Sequence, residues 1–377
     1  MGQTETQQTG GQDGGGETGS GSGGGSDIES WEEAQHVATA SWLSDNIDDV
    51  TVVDASPVDG TGYIDGAVGL DASQTREAPA TPLHFEVNGV MKRPDDLAEV
   101  FGQNGISETD DVVVYDEFGG LWAATVVKSF IWAGHEGDVK LFEGNRTYWA
   151  EEGGATSESL TEPSGADYSH NGPAEDLIVT GVDVMRHLND DSTVFVDNRD
   201  FVEYTGIEVR RHGGPSGSRE DMNHRGGHIP GAELLPWRRL LTDPDNDELT
   251  TVGTSDIIRS PAHLRPVNEV SSELGDLGVS QDQTVISYCQ TAVRGALPLP
   301  LLTDMGYDVR VYEGAYEEWG GNQITPITDL PPGGGWAYER AEEYGGFPGG
   351  DDYGAEQESY SSDELLEILY DSLEPGT

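Results

Sequence analysis

Four short motifs occur twice in this chain in the same order, and that repeat limits the fold more than any other feature. Thr51-Val52-Val53-Asp54 answers Val194-Phe195-Val196-Asp197. Gly62-Tyr63-Ile64-Asp65-Gly66-Ala67 answers Gly227-His228-Ile229-Pro230-Gly231-Ala232. Val112-Val113-Val114-Tyr115 answers Val285-Ile286-Ser287-Tyr288. Last, Val139-Lys140-Leu141-Phe142-Glu143-Gly144 with Trp149 answers Val309-Arg310-Val311-Tyr312-Glu313-Gly314 with Trp319. A repeat of this order predicts two copies of one unit. The strands are short, continuous apolar runs, the pattern of strands buried on both faces of a parallel sheet. Val126–Trp132 and Leu297–Met305 each follow a strand end and suit crossover helices. The expected fold class is α/β, twice over, each copy a mostly parallel sheet with helices on both faces.

The 377 residues leave room for two such domains and tails. Residues 1–26 hold eleven glycines, no Lys or Arg and no apolar residue beyond Met1, so they read as a flexible leader. They lack the basic start and apolar stretch of a signal peptide. The expected boundaries are a first domain at 27–150, a polar linker at 151–175, a second domain at 176–345 and an acidic tail at 346–377. The tail holds a plausible amphipathic helix from Ser362 to Leu373. The second copy is longer, with insertions around Ile207–Arg225 and Leu241–Pro261.

Asp and Glu number 71 against 19 Lys and Arg, a formal charge of −52. Only three of the basic residues are lysines: Lys92, Lys128 and Lys140. A carboxylate coat spread along the chain keeps a protein hydrated when molar salt screens repulsion, and we read it as halophilic adaptation. It disfavours a nucleic-acid partner. No run approaches the roughly 18 apolar residues of a membrane span. His84, His135 and His263 show no ligand spacing, so neither a metal nor another cofactor is expected.

The single cysteine, Cys289, follows the strand ending at Tyr288 and opens the loop Gln290-Thr291-Ala292-Val293-Arg294 before a helical stretch. Ligands of open α/β sheets bind beyond the carboxyl ends of the strands. Amides of a tight loop at a helix start point at whatever anion sits there, which favours a thiolate over a thiol. Arg294 adds a positive charge at the loop's far end. Ten basic residues fall between Arg186 and Arg265, among them Arg199 and Arg225 beside Gly227-His228-Ile229-Pro230. Local pairing with acids and a positive mouth admitting a dianion both account for that crowding.

Tyr288-Cys289-Gln290-Thr291-Ala292-Val293-Arg294 resembles the active-site loop of rhodanese sulfurtransferases. Gly227–Ala232 resembles that family's second signature, and Asp197-Asn198-Arg199 its Asp-x-Arg strand end. The resemblance spans roughly residues 30–325 and implies tandem rhodanese-like domains. It further implies a double displacement in which Cys289 takes sulfur from a donor such as thiosulfate and yields it to cyanide or a thiol. The first domain of such tandems is usually inactive, and here Asp116 stands where the cysteine would fall. Ala292 replaces the usual glycine. The loop is neither Cys-Arg-Lys-Gly nor Cys-Gly-Ser-Gly, which leaves thiosulfate and 3-mercaptopyruvate both open as donors. On this reading Gln290, Thr291, Ala292, Val293, Arg294, Arg199 and Arg225 contact substrate, His228 packs in its turn, and the partners are small sulfur donors and acceptors. Two alternatives stand beside it: a non-catalytic carrier delivering sulfur to a partner protein, and a Cys-loop phosphatase or arsenate reductase. The latter is disfavoured by four residues rather than five between Cys289 and Arg294. A cytoplasmic monomer is expected, with export the alternative should the chain start further upstream.

Overall fold

The computed structural model describes residues 28–56, 62–77, 81, 83, 87, 89–206, 225–242, 261–322 and 324–328. The expected leader, the acidic tail with its helix, and most of both insertions lie outside them, as do Arg210, Arg211, Arg219 and Arg259 of the basic cluster.

The repeat folds as two five-stranded sheets of matching order. The first contains β1 (Val37–Ala38), β2 (Thr51–Asp54), β3 (Val68–Gly69), β4 (Val112–Tyr115) and β5 (Val139–Phe142), arranged β1-β5-β4-β2-β3. The second contains β6 (Ile178–Val179), β7 (Thr193–Asp197), β8 (Glu233–Leu234), β9 (Thr284–Tyr288) and β10 (Asp308–Tyr312), arranged β6-β10-β9-β7-β8. Every pairing within both is parallel. The central strands β4 and β9 are valine- and isoleucine-rich and buried, as strands covered by helices on both faces require.

The paired motifs have a shared mechanical reason. Tyr115 ends β4, and its hydroxyl accepts the Ile64 N–H at 3.1 Å; Tyr288 ends β9, and its hydroxyl accepts the Ile229 N–H at 3.2 Å. Each tyrosine thereby pins the turn of the second motif against the sheet. Trp149 stands edge-on to Phe142 at 6.0 Å and Trp319 to Tyr312 at 6.4 Å, each indole N–H donating to a carbonyl beyond its helix.

The two halves share one apolar core. Helix α1 (Leu121–Ala133) packs against α2 (Pro298–Asp304), joining the two sheets through a common layer. α1 is apolar on nearly all sides because it is covered on nearly all sides. The chain start crosses over as well: His36 donates its backbone N–H to Asp304 at 2.8 Å, and Trp31 Nε1 donates to the Arg265 carbonyl at 2.7 Å. The stretch expected as a linker lies along the first half. Amides of Thr161, Ala166, Gly172 and Ala174 donate to Ala67, Gly102, Ala133 and Trp132. Among the described residues, no helix is long and apolar enough to cross a membrane.

Candidate active site

Cys289 sits at the carboxyl end of β9, the middle strand of the second sheet, and is 1% exposed. Its carbonyl accepts the Tyr316 N–H and that of Gln290 accepts the Glu317 N–H, both at 2.9 Å. Ser287 Oγ lies 2.7 Å from both Asn198 Oδ1 and the Gly295 carbonyl, tying the strand to the far side of the loop. A Cβ on Gly295 would stand 3.0 Å from the Tyr288 backbone, so that position closes the loop tightly. Ala292 takes the left-handed conformation with φ 60°, and Gly119, its counterpart in the first half, has φ 73°. The loop thus demands a torsion that glycine meets freely and alanine meets at a cost.

The first half shows what such a loop holds. Asp116 occupies the place of the cysteine, and its carboxylate accepts four backbone N–H groups: Phe118 at 2.7 Å, Gly120 at 2.8 Å, Trp122 at 2.7 Å and Ala123 at 2.8 Å. Burial pushes this carboxyl above its ordinary range, while the four amides pull the other way. With every donor aimed at an oxygen, the anion is the form that the loop accommodates. Glu117, beside it, is pushed up to about 8 by burial, against the pull of Arg146. Gln290 occupies the equivalent position next to Cys289, a neutral amide with Nε2 buried and lacking a hydrogen-bond partner.

Arg294 lies in the loop and Arg199 beside Tyr288, but the hydrogen bonds of the arginines singled out from sequence are spent on the protein. Arg294 is 5% exposed and bidentate to Glu203, at 2.5 and 3.0 Å, with Asp200 3.8 Å away. Its guanidinium is engaged by Glu203 rather than standing open for an anion, which also speaks against a phosphoryl-binding loop. Arg199 pairs with Asp197 at 2.6 Å, donates to the Gly227 carbonyl at 2.7 Å and lies over the Tyr316 ring at 3.8 Å. Arg225, expected in substrate capture, clasps the end of the helix Ala315–Gly321 instead: its N–H groups meet the carbonyls of Trp319, Asn322 and Thr325. Backbone carbonyls freed at a helix end attract such a cation. His228 stacks on Tyr204 at 3.7 Å with Nδ1 2.9 Å from its carbonyl, a packing role as expected. Arg238 pairs with Asp200, and Arg239 and Arg265 with Glu273, so these members of the basic cluster are locally paired.

Two cations that sequence reading passed over come from the first half. Arg76 Nη2 donates to the Thr291 carbonyl at 2.6 Å, two residues beyond Cys289. Lys128, in α1, is fully buried and 2.6 Å from Glu313, whose backbone follows β10. Burial pulls its ammonium below the ordinary range; Glu313 opposes that, and Arg76 and Cys289 are close enough for their charges to act on it. A signal was available: Lys128 is one of three lysines and interrupts an apolar helical run.

Comparison with known proteins agrees with this geometry. The sequence profile described as "Rhodanese-like domain" matches residues 180–322. A putative thiosulfate sulfurtransferase of Haloferax volcanii is 30% identical over 235 residues, 62% of this chain and 74% of the relative. The sulfur carrier protein TtuD of Thermus thermophilus is 28% identical over 302 residues, 77% of this chain and 95% of the relative. Among solved structures, SseA of Escherichia coli, described as a 3-mercaptopyruvate sulfotransferase with the rhodanese fold, superposes with a TM-score of 0.54 at 21% identity, covering 75% of this chain and 99% of SseA.

Proposed function

This chain belongs to the rhodanese family of sulfurtransferases, and from that premise we propose that it carries sulfane sulfur as a persulfide on Cys289. The Cys289 thiolate attacks the outer sulfur of thiosulfate; the S–S bond breaks and sulfite leaves with its electron pair. The charge is conserved, a persulfide anion and sulfite replacing a thiolate and thiosulfate. An acceptor nucleophile, cyanide or a thiolate, then attacks the outer sulfur and restores the Cys289 thiolate. A 3-mercaptopyruvate donor would follow the same first step with the enolate of pyruvate as leaving group.

The observation carrying this reading is the pair of equivalent loops. In one, a side-chain anion sits in a ring of four amides; in the other, a cysteine stands in the same place at the end of the same strand. By that equivalence, the amides of Thr291, Val293 and Gly295 are the groups that would turn to the Cys289 sulfur and stabilise a thiolate or a persulfide alike. Thr291, Ala292 and Val293 act through the backbone, and Arg294, Arg199 and Arg225 hold the loop's surroundings in shape. The likeness to a sulfur carrier protein favours a second reading of the acceptor, in which the persulfide passes to a partner protein.

Mass spectrometry after exposure to thiosulfate tests the proposal. The Cys289 peptide gains one sulfur, cyanide removes it as thiocyanate, and Cys289→Ser abolishes both. A protein that never takes up sulfur on this peptide from thiosulfate or 3-mercaptopyruvate would rule the reading out. Turnover with small acceptors separates an enzyme from a carrier that discharges only to a protein.

A further inference from the structure

Cations of the half that carries Cys289 are compensated by acids: Arg294 by Glu203, Arg199 by Asp197 and Arg238 by Asp200. Arg76 is different. It belongs to the half without the cysteine, and its two recorded hydrogen bonds, both from Nη2, go to the carbonyls of Gly89 and Thr291. Among the described residues no carboxylate pairs with it. Its Nη1 is closed off from solvent and has no hydrogen-bond partner. A buried guanidinium nitrogen with two unused N–H donors is an expensive thing to keep, and in the wall of a site it is where a ligand completes the bonding.

The surroundings shape this guanidinium. A Cβ at Gly89 would come within 3.0 Å of Arg76 Nε and 3.2 Å of Nη2, so the group lies flat against a stretch of bare backbone. Lys128, a second cation from the same half, is close enough to act on Arg76 and Cys289 together. Lys128 is itself paired with Glu313, so it is Arg76 that brings uncompensated positive charge to the loop from across the interface.

We propose that Arg76 receives the oxyanion end of the sulfur donor. Its Nη1 donates to sulfonate oxygens of thiosulfate, or to the carboxylate of a mercapto acid, while the sulfur to be transferred faces Cys289. Arg76 makes no covalent bond; as the S–S bond of thiosulfate breaks, it balances charge gathering on the departing sulfite. This deepens the assignment of Cys289 as the sulfur carrier and rests on it.

The test compares wild type, Arg76→Gln and Arg76→Lys. Cys289 is alkylated with iodoacetate, an anion, and with iodoacetamide, its neutral analogue. The ratio of the two rates reports the local potential and cancels general changes in thiol reactivity. We expect that ratio to fall about tenfold in Arg76→Gln and less than about threefold in Arg76→Lys. The half-saturating concentration of thiosulfate or of 3-mercaptopyruvate rises about tenfold or more in Arg76→Gln, with a smaller effect on turnover. The donor that responds is the one whose oxyanion Arg76 holds. Equal slowing with both alkylating reagents means that Arg76 merely supports the loop, and overturns the proposal. So does an equal fall of the ratio in both variants, or half-saturation unchanged for both donors. A wild-type protein that takes up no sulfur on Cys289 overturns the carrier assignment instead, and the alkylation ratio is read independently of sulfur loading.

Discussion

Arg294 and Glu203 hold each other where neither is well hydrated, their side chains 6% and 0% exposed. Removing one member of a buried pair leaves the other's charge in a poor solvent, a loss of about 3–5 kcal/mol. Arg294→Ala should accordingly lower unfolding free energy by that order in a denaturant titration. Arg294→Met combined with Glu203→Leu should recover most of it, because both charges leave together. Loss of sulfur transfer in Arg294→Ala with unchanged stability would instead place this arginine in the chemistry itself. Ala292 is a milder case. A left-handed torsion costs an alanine about 1–2 kcal/mol, and its methyl, fully buried in the core, returns roughly 0.8 kcal/mol. The methyl thus offsets part of that cost, and the remainder is small enough for the loop to depart from glycine there. Cys289 was legible in the sequence because its loop is contiguous. Arg76 was not, since its contact with Thr291 joins residues 215 apart in the chain.

At the scale of elements, the two strand-end loops differ in their acids, Asp116 and Glu117 standing where the second has Cys289 and Gln290. Glu117 has its carboxyl pushed up to about 8 by burial, where an unfolded chain would leave it near 4.5. A carboxyl raised in the folded state contributes stability that is fully present below about pH 4.5 and is lost as pH rises through 8. The melting temperature of the wild type should fall between pH 5 and 8.5 by more than that of Glu117→Gln, as scanning calorimetry would read. Identical pH slopes would mean that Arg146, whose Nε is 3.8 Å away, already keeps Glu117 ionised. The inner strands of both sheets and the crossover helices were readable because buried strands and helices leave runs of apolar residues, whereas the two-residue outer strands β1, β3, β6 and β8 were not. The two-residue pairings were not: Tyr63–Ile64 with Thr156–Ser157, and Leu241–Thr242 with His263–Leu264. Two residues have no period. The segment after Glu151 read as a linker because it is polar, yet its backbone bonds fasten it to the first half.

For the molecule as a whole, −52 charges on 377 residues repel one another. Screening shortens the reach of that repulsion to about 3 Å at molar salt. The melting temperature should climb steadily from 0.1 M toward molar KCl, and a flat or falling curve would count against the halophilic reading. The buried Lys128–Glu313 contact should respond little over the same range, since salt screens buried pairs far less than exposed ones.

That contact bears on how a duplicated chain ages. Asp116 stands in one copy where the other has its cysteine, and a copy that no longer performed the reaction would be released from selection on that chemistry. The same copy still contributes Lys128 and the inner face of Leu121–Ala133 to its sibling. Mutations would accumulate unevenly, tolerated where the old reaction took place and purged where the two copies touch. A pensioned catalyst of this kind would persist because its neighbour would lose a wall without it.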